Sequence, residues 1–527
     1  MRRTHSVAAA AVAVGTLLLA GCSASSAATA GGSATTSGGG TLVIDSTFDL
    51  KTADPARSYE FTGELLAHNT YQYATTFAGG DLTKPVPELT TFAFSPDGKT
   101  LTLTLAGTSK FPDGSAVTVD DIVFSYQRVQ GIQGSPSFLL DGVTVAKVDD
   151  STLTLTTATA NPALPAILAN PSLGVVEAKL VKANGGTTTP DDKAEAFLNT
   201  TTAGSGAYQI DTLDISSQVT LKRNPNYAGS SPAWDKVVIQ NVAPATQKLN
   251  VQSGQAQIAL DISPDDAKTL NGGSTKVING VSGFTVYTFF AADQAHGQTA
   301  SDPKFVAAAR HAINYQKLLD IAGAGSVQPG GVVPVQFPGS LKSDPTNTYD
   351  PNAAKELLAQ SAYKGEEITY LYASDVTVQG LQLQLLAQSI QADLKAVGIN
   401  IKLDPQPAAT YYSTLRSNTV QAALAYWGPD FPDASNYLAF TPGSGVAKRA
   451  NWNPGEPSAD AVTPFVTAAQ NATGAARETA YQQLQQEMNK VGPIVPLIQP
   501  AQSVVTGASI SNVTPSPLWL LDLADIK

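Results

Sequence analysis

The sequence predicts a mixed α/β protein with at least two lobes. Residues 101–105 and 153–156 alternate apolar and polar side chains, as half-buried strands do. Residues 120–129 instead open with two acidic residues and repeat apolar side chains at helical spacing. About 490 residues follow the low-complexity start of the chain. Since a single hydrophobic core stops growing at roughly 250 to 300 residues, more than one lobe is expected.

Further segments continue the alternation of strands and helices in chain order. A strand-like apolar run begins at residue 41, and Asp97-Gly98 predicts a hairpin turn before the strand at residues 101–105. A second strand-like run at 399–403 follows Gly398, which suits the end of a helix. Helix-compatible patterns cover residues 303–319, 353–358, 381–397 and 480–491.

The start of the chain predicts export and a lipid anchor. Two arginines precede an uncharged apolar run of 13 residues at 7–19, which is too short to span a bilayer but fits a signal peptide. Residues 19–22, Leu-Ala-Gly-Cys, resemble a bacterial lipobox. We therefore expect residues 1–21 to be removed, Cys22 to carry acyl chains, and residues 22–40 to form a Ser/Gly/Ala-rich tether. The alternative is an ordinary signal peptide that contains a cysteine. The anchor predicts a location on the extracellular or periplasmic face of the cell membrane.

Cysteine content and charge exclude several classes of protein. Cys22 is the only cysteine, so the mature chain has no disulfide, no thiol nucleophile and no cysteine metal ligand. Removal of residues 1–21 takes away two arginines and no acidic residue, which leaves 30 basic and 43 acidic side chains. This balance repels nucleic acid, and no basic run compensates for it. We expect no nucleic-acid partner.

The motifs of common enzymes are absent. Gly98-Lys99-Thr100 lacks the earlier glycine of a phosphate-binding loop, and no Gly-x-Ser-x-Gly elbow occurs. The three histidines beyond residue 21 have no metal-ligand spacing, and His311 is expected to be structural. The acidic pairs 120–121 and 191–192 are more simply explained as charges at helix N-termini than as a glycosidase dyad. We therefore predict a binding protein that is not an enzyme and has no cofactor or metal.

Several segments in order resemble one family. Its most recognisable part is similar to residues 110–114, Lys-Phe-Pro-Asp-Gly, followed by residues 119–125, Val-Asp-Asp-Ile-Val-Phe-Ser. The chain resembles the extracellular solute-binding proteins of the dipeptide, oligopeptide and nickel class, known as family 5, which serve ABC importers. The other matching segments are residues 94–100, 204–208, 221–227, 302–314 and 349–358.

The resemblance implies a type II periplasmic-binding-protein-like clamp. Its first lobe would comprise residues 41–284 and 499–527, with an inserted subdomain at about 75–200, and its second lobe residues 285–498. The chain would cross between the lobes near Thr288 and Gln499. Solute would bind in the cleft between the lobes, and closure would present a surface to the permease.

The resemblance also implies where the solute is held. Residues 426–433, Tyr-Trp-Gly-Pro-Asp-Phe-Pro-Asp, resemble the family segment whose aspartate pairs with the α-ammonium of a bound peptide. That role falls to Asp430, since a desolvated ammonium needs a charged partner. Tyr426 and Trp427 would form an apolar wall, and the predicted site also includes Gly428, Phe431 and Asp433. The alternative is an exposed loop in which the acid caps a turn.

The chain departs from the family where a peptide carboxylate would bind. An arginine six positions before the aspartate can take that carboxylate in oligopeptide binders, but here the position is Leu424. Arg416 is expected to be a solvated surface residue. The main prediction is a monomeric binding lipoprotein that delivers di- or oligopeptides to an ABC permease and its ATPase. The same clamp could instead bind an opine, an oligosaccharide, chelated nickel or haem, or serve a peptide-sensing receptor. A secreted hydrolase is the weakest alternative.

Overall fold

The computed structural model describes residues 39–527. The predicted signal peptide, Cys22 and all but the last two residues of the predicted tether therefore lie outside the described residues. Residues 39–527 form two lobes, each built on a β-sheet, and the predicted mixed α/β fold is confirmed. Within this part of the chain, every helix is too short or too polar to cross a membrane.

The first lobe contains a seven-stranded sheet. Strand Thr41–Ser46 runs parallel to both of its neighbours, and the other strand pairs are antiparallel. Leu42 and Ile44 are fully buried on the same face of this strand, because successive side chains alternate between faces. In sheet order the strands are Thr275–Val281, Ala501–Gly507, Ile258–Ala259, Thr41–Ser46, Lys236–Asn241, Gln218–Arg223 and Tyr208–Asp214.

A four-stranded antiparallel sheet forms a subdomain of the first lobe. The predicted alternation is confirmed, since Leu101 and Leu153 are fully buried beneath the helix Val119–Gly131. That helix begins with a capping box, in which the Thr118 side chain and Asp121 exchange hydrogen bonds with each other's backbone N–H groups. In sheet order the strands are Thr90–Phe94, Thr100–Leu105, Thr152–Thr156 and Thr144–Lys147.

The predicted hairpin turn at Asp97-Gly98 is also confirmed. The strands on either side pair antiparallel, and Gly98 has a φ of 69°, which glycine adopts without steric cost. Two short strand pairs complete the first lobe, Thr75–Ala78 with Asp81–Pro87 and Pro515–Ser516 with Leu520–Leu521. The remaining α-helices of the first lobe are Phe61–Thr70, Leu164–Ile167, Ala178–Ala183, Glu195–Leu198, Pro244–Ser253 and Pro264–Leu270, and its 3-10 helices are Ser135–Leu140 and Pro171–Leu173.

The second lobe is built on a five-stranded sheet. Strand Glu367–Ala373 runs parallel to both neighbours, whereas Thr285–Phe290 runs antiparallel to both of its own. The central strand is Ala422–Trp427, and its first four residues are fully buried. In sheet order the strands are Asn400–Gln406, Glu367–Ala373, Ala422–Trp427, Thr285–Phe290 and Ile494–Ile498, and a separate pair joins Thr377–Val378 to Leu381–Gln382.

One predicted helix of the second lobe is interrupted. Residues 303–319 form two helices rather than one, because the first ends at Ala312 and the side chain of Asn314 caps the second. The α-helices of this lobe are Gln294–Gly297, Pro303–Ala312, Tyr315–Ala322, Pro351–Ala359, Leu383–Val397, Ala408–Arg416, Pro457–Asn471 and Gly474–Val491. Its 3-10 helices are Gln298–Ser301, Pro345–Asn347, Ala434–Phe440 and Ala447–Ala450.

The chain passes between the two main sheets at residues 282–284 and 499–500. The two crossings contact each other, since the Ser282 hydroxyl donates a hydrogen bond to the Pro500 carbonyl at 2.6 Å. Thr288, near which a crossing was expected, lies inside the strand that begins at residue 285. The connections between the lobes are therefore short and are bonded to each other.

Candidate functional site

The loop after strand Ala422–Trp427 lies where the two lobes meet. Pro429 and Pro432 follow the strand and suit its end, since proline cannot donate to a sheet ladder. Gly428 allows a close approach at the start of the loop, because a Cβ there would lie 2.8 Å from the ring of Phe284. The strand therefore ends at the junction of the lobes, and the loop that follows it packs closely against Phe284.

Asp430 makes a direct contact between the lobes. Its carboxylate accepts a hydrogen bond from the hydroxyl of Tyr59, which belongs to the first lobe. Its other oxygen accepts from the side-chain amide of Asn436 at 2.7 Å. The side-chain amide of Asn170, in the first lobe, donates to the Asp430 carbonyl at 2.7 Å. Asp430, which was predicted to bind the ligand ammonium, is thus held by hydrogen-bond donors from both lobes.

The electrostatic environment of Asp430 is unusual for a carboxylate. Burial raises its pKa, and the hydrogen bonds from Tyr59 and Asn436 oppose that shift in part. All the partners of the carboxylate are neutral, and no side-chain cation within residues 39–527 forms a salt bridge with it. An ionised carboxylate in this position favours a positively charged group beside it.

A second acidic group lies close to the same contact. Glu64, in the first turn of helix Phe61–Thr70, has its pKa raised to about 8 by burial and by the neighbouring carboxylates. Those carboxylates belong to Asp49, Asp430 and Glu60. Acidic groups therefore lie on both sides of the junction, and each raises the cost of ionising its neighbours.

The two predicted wall residues have different surroundings. The Tyr426 ring lies 6.0 Å from that of Phe284, and Phe284 lies 5.4 Å from Phe61 of the first lobe. Trp427 packs instead inside the second lobe, perpendicular to the rings of Tyr437 and Phe440 at 5.0 and 5.5 Å. Tyr426 therefore lies at the junction of the lobes, whereas Trp427 packs against Tyr437 and Phe440 within the second lobe.

Phe431 and Asp433 serve packing and loop structure. Phe431 is half-buried against the hydrophobic core of the subdomain in the first lobe. The carboxylate of Asp433 forms a bidentate salt bridge with Arg477 at 2.6 and 2.9 Å, and it also accepts from the Ser435 backbone N–H. Because both of its oxygens are engaged, Asp433 stabilises the loop and does not join the carboxylates at the junction.

Neither Leu424 nor Arg416, the two positions considered for a ligand carboxylate, forms a hydrogen bond or salt bridge with Asp430 in the described residues. Leu424 is fully buried within the strand. Arg416 is exposed and lies over the ring of Tyr412, with its guanidinium carbon 5.6 Å from the ring centre. The hydroxyl of Tyr412 is hydrogen-bonded to that of Tyr426.

A cavity of about 340 Å³ lies between the lobes beside this contact. Its charged lining residues are Asp49 and Asp261, and no lysine, arginine or histidine of the described chain lines it. Asp430 is not part of the lining, whereas Tyr426 is. The full lining is Ser46, Thr47, Phe48, Asp49, Phe61, Thr62, Pro244, Leu260, Asp261, Phe284, Thr377, Val378, Gln379, Gly380, Tyr426, Gln502 and Leu520.

The residues that the first lobe contributes to this site were not predicted from the sequence. Tyr59, Glu64 and Asn170 lie more than 250 residues from Asp430 in the chain, and no local pattern marks them. Asn436 is only six residues from Asp430, but a lone asparagine in a loop carries no specific signal.

Comparisons with known proteins show the family and the fold of the chain. Residues 84–449 match the family model of bacterial extracellular solute-binding proteins, family 5, middle region. The chain is 24% identical to a probable D,D-dipeptide-binding periplasmic protein of Escherichia coli K12, over 76% of this chain and 77% of that protein. It is 24% identical to di/tripeptide-binding protein 2 of Pseudomonas aeruginosa, over 90% and 92%. The structure of an ABC transporter-associated periplasmic binding protein from Helicobacter pylori, in complex with the peptide STSA, superposes with a TM-score of 0.74 at 19% identity, covering 93% of this chain and 98% of that one.

Proposed function

The chain belongs to the bacterial extracellular solute-binding proteins of family 5, and from this we propose that it captures small peptides for an ABC importer. Peptide would bind between the lobes and be delivered to a membrane permease driven by its ATPase. The two curated relatives described above are named as peptide-binding proteins, which supports this assignment, and the Escherichia coli protein is also named as periplasmic, which supports an extracytoplasmic location. We expect no catalytic activity.

The observation that carries the proposal is the Asp430 carboxylate at the junction of the lobes. Its partners are neutral donors, so its negative charge is available to the α-ammonium of a peptide. A charge-assisted hydrogen bond in a partly desolvated site contributes more than a neutral one. Tyr426 and Phe284 supply an apolar surface beside it.

The size of the cavity favours short peptides. A volume of about 340 Å³ lies near the lower end of the range for small-molecule sites, roughly 300 to 1,000 Å³. Of the ligands considered from the sequence, a di- or tripeptide fits this volume better than a long oligopeptide does.

Calorimetry with matched peptides tests the assignment. We expect Phe-Ala to bind with 1:1 stoichiometry and N-acetyl-Phe-Ala to bind at least tenfold more weakly, because acetylation removes the ammonium. Equal affinity for the two peptides would contradict ammonium recognition. Native mass spectrometry of freshly purified protein provides an independent check, and a retained opine, oligosaccharide or metal chelate would replace the peptide assignment.

The location of the protein remains a separate proposal. Acyl chains on Cys22 would hold a monomer at the outer face of the cell membrane, and residues 22–40 would tether the lobes. In a membrane-fractionation assay, Cys22→Ala should release the protein into the soluble fraction while its peptide affinity stays unchanged. Retention of the variant in the membrane fraction would contradict the anchor.

We also propose lobe boundaries at residues 284/285 and 498/499, where the chain passes from the sheet of one lobe to the sheet of the other.

A further inference from the structure

Leu520 adopts a backbone conformation that leucine rarely takes. Its φ is 63°, in the left-handed region where a Cβ atom crowds the backbone and which glycine adopts freely. The backbone N–H of Leu521 donates to the carbonyl of Trp519 at 2.7 Å and closes a three-residue turn around Leu520. Six other non-glycine residues within residues 39–527 have a positive φ, and all of them are asparagines or glutamines. A bulky apolar residue in this conformation carries strain that the surrounding structure has to hold.

The residues on both sides of Leu520 hold this turn in place. The ring of Trp519 is almost fully buried and stacks on the ring of His68, with the ring centres 4.0 Å apart. The side-chain amide of Asn69 donates to the carbonyl of Leu521 at 3.0 Å. His68 and Asn69 lie in the last turn of the same first-lobe helix, which thus contacts the turn on either side of its central residue. The backbone of Leu520 is therefore fixed by its neighbours.

The strained turn brings Leu520 to the cavity between the lobes. Leu520 is half-buried and lines this cavity of about 340 Å³ together with Phe61, Phe284 and Tyr426. The three rings follow one another, since that of Phe284 lies 5.4 Å from that of Phe61 and 6.0 Å from that of Tyr426. Phe61 remains 40% exposed. The cavity therefore presents apolar surface that the chain itself leaves uncovered, and an apolar group of a solute would bury it.

The acidic residues of the cavity are bonded within the first lobe. The Asp49 carboxylate accepts hydrogen bonds from the backbone N–H groups of Phe61 and Thr62, at 3.2 and 3.0 Å. The Asp261 carboxylate accepts from the backbone N–H of Thr47 at 2.6 Å. These bonds hold both carboxylates against the backbone of the first lobe. The contact that distinguishes one peptide side chain from another therefore falls to the apolar part of the lining.

We propose that Leu520 forms one wall of a subsite for an apolar side chain of the bound peptide and sets the size of the side chain that fits. The inference rests on the proposed peptide-binding function and names its ligand class as peptides that carry aliphatic side chains. Glycine would relieve the turn but would leave this wall without a side chain, which explains why leucine occupies a position suited to glycine. Leu520 is therefore a determinant of specificity that lies outside the family segment at residues 426–433.

Calorimetry with two symmetric dipeptides, Leu-Leu and Ala-Ala, tests the preference of the wild-type protein. Because the two side chains of each peptide are identical, the result does not depend on which end of the peptide meets Leu520. We expect Leu-Leu to bind at least about tenfold more tightly, since the larger side chain buries more apolar surface in the subsite. Equal or tighter binding of Ala-Ala would overturn the inference and leave the peptide function intact. Failure of both peptides to bind would overturn the peptide function, and the inference with it.

Substitutions of Leu520 isolate its contribution. Leu520→Ala should weaken binding of Leu-Leu by about tenfold and of Ala-Ala by less than about twofold, because the lost wall contacts only the larger side chain. Leu520→Trp should also weaken Leu-Leu selectively, because it fills the subsite. A loss of folding would weaken both peptides equally, so the ratio of the two affinities separates recognition from stability. Leu385→Ala is the matched control, since Leu385 is exposed on a second-lobe helix. An unchanged ratio in both Leu520 variants would overturn the inference.

A second pair of variants tests the strain in the turn. Leu520→Gly and Leu520→Ala both remove the wall, but only glycine relieves the φ of 63°, so Leu520→Gly should unfold at the higher urea concentration. At Leu385 the order should reverse, because glycine is less favourable than alanine inside a helix. Both Leu520 variants should bind Leu-Leu equally weakly. A lower unfolding midpoint for Leu520→Gly than for Leu520→Ala would overturn the inference that a strained turn holds Leu520 at the cavity.

Discussion

Asp430→Asn is the most direct perturbation of the site, because it removes a charge and changes almost no volume. The asparagine side chain retains one acceptor oxygen and presents an NH₂ group in place of the other. Either Tyr59 or Asn436 then faces a donor instead of an acceptor. The main loss is the attraction to the ligand ammonium. A hydrogen bond to a charged group contributes about 1.5–3 kcal/mol, and removing one member of a buried charge pair costs roughly 2–5 kcal/mol. We therefore expect a loss of about 2–4 kcal/mol, equivalent to roughly 30- to 1,000-fold weaker binding.

Calorimetry with Phe-Ala and N-acetyl-Phe-Ala measures this loss in both proteins. If Asp430 pairs with the ammonium, the variant should lose affinity for the free peptide and change little toward the acetylated one. Asp320→Asn serves as a control, because Asp320 is exposed on a second-lobe helix and contacts only Gln316 of its own helix. A change of less than about threefold for the free peptide would refute the assignment, since one charge-assisted bond is worth more than that.

Three further predictions concern the stability of the fold. Arg128→Met should lower the free energy of unfolding by about 3 kcal/mol in urea titration, because Asp54 and Asp192 lose their buried partner and keep only the salt bridges to Arg57 at 3.4 and 3.1 Å. Exposed Arg416→Met should change it by less than about 0.5 kcal/mol. Glu64→Gln should raise the melting temperature more at pH 8.5 than at pH 5. The folded-state pKa of this group, about 8, exceeds its ordinary value of 4.5, so its contribution to stability is lost as the pH rises through that interval. An equal effect at both pH values would contradict the prediction. Gly428→Ala should cost about 1–3 kcal/mol in urea titration, because its Cβ would lie 2.8 Å from the ring of Phe284, and an unchanged unfolding midpoint would show that the ring moves aside freely.

Much of the fold was predictable because its signals are local. The alternation of leucine and threonine predicted strands that the structure places at Thr100–Leu105 and Thr152–Thr156. The helix predicted at residues 381–397 begins at Leu383 and ends at Val397, and the φ of 100° at the next residue, Gly398, explains why glycine occupies that position. The expectation of one helix over residues 303–319 was wrong, because apolar periodicity continues across the cap at Asn314. Periodicity indicates which side chains are buried, and it does not detect a break between two consecutive helices.

The candidate site was only partly predictable. The family segment pointed to Asp430, which the structure places at the junction of the lobes, and a local motif can do so because it lies within eight residues of chain. It also suggested Asp433, whose partner Arg477 lies 44 residues away and engages both carboxylate oxygens. Tyr59 reaches Asp430 through the packing of one lobe on the other, so no pattern in either segment indicates the contact.

A buried ion network shows why such contacts depend on the whole lobe. Arg128 is 1% exposed and forms a bidentate pair with Asp54 at 2.6 and 2.7 Å, and it also bonds Asp192. Asp192 was expected to be one charge of a helix N-terminus, an explanation that overlooked this distant arginine. A buried pair adds little net stability relative to apolar packing, but its geometry is strict. Asp54 lies five residues before Tyr59, and the same network therefore restrains the segment whose hydroxyl bonds Asp430. The position of Tyr59 at the junction thus depends on residues 54, 128 and 192, which are distant in sequence and adjacent only in the folded lobe.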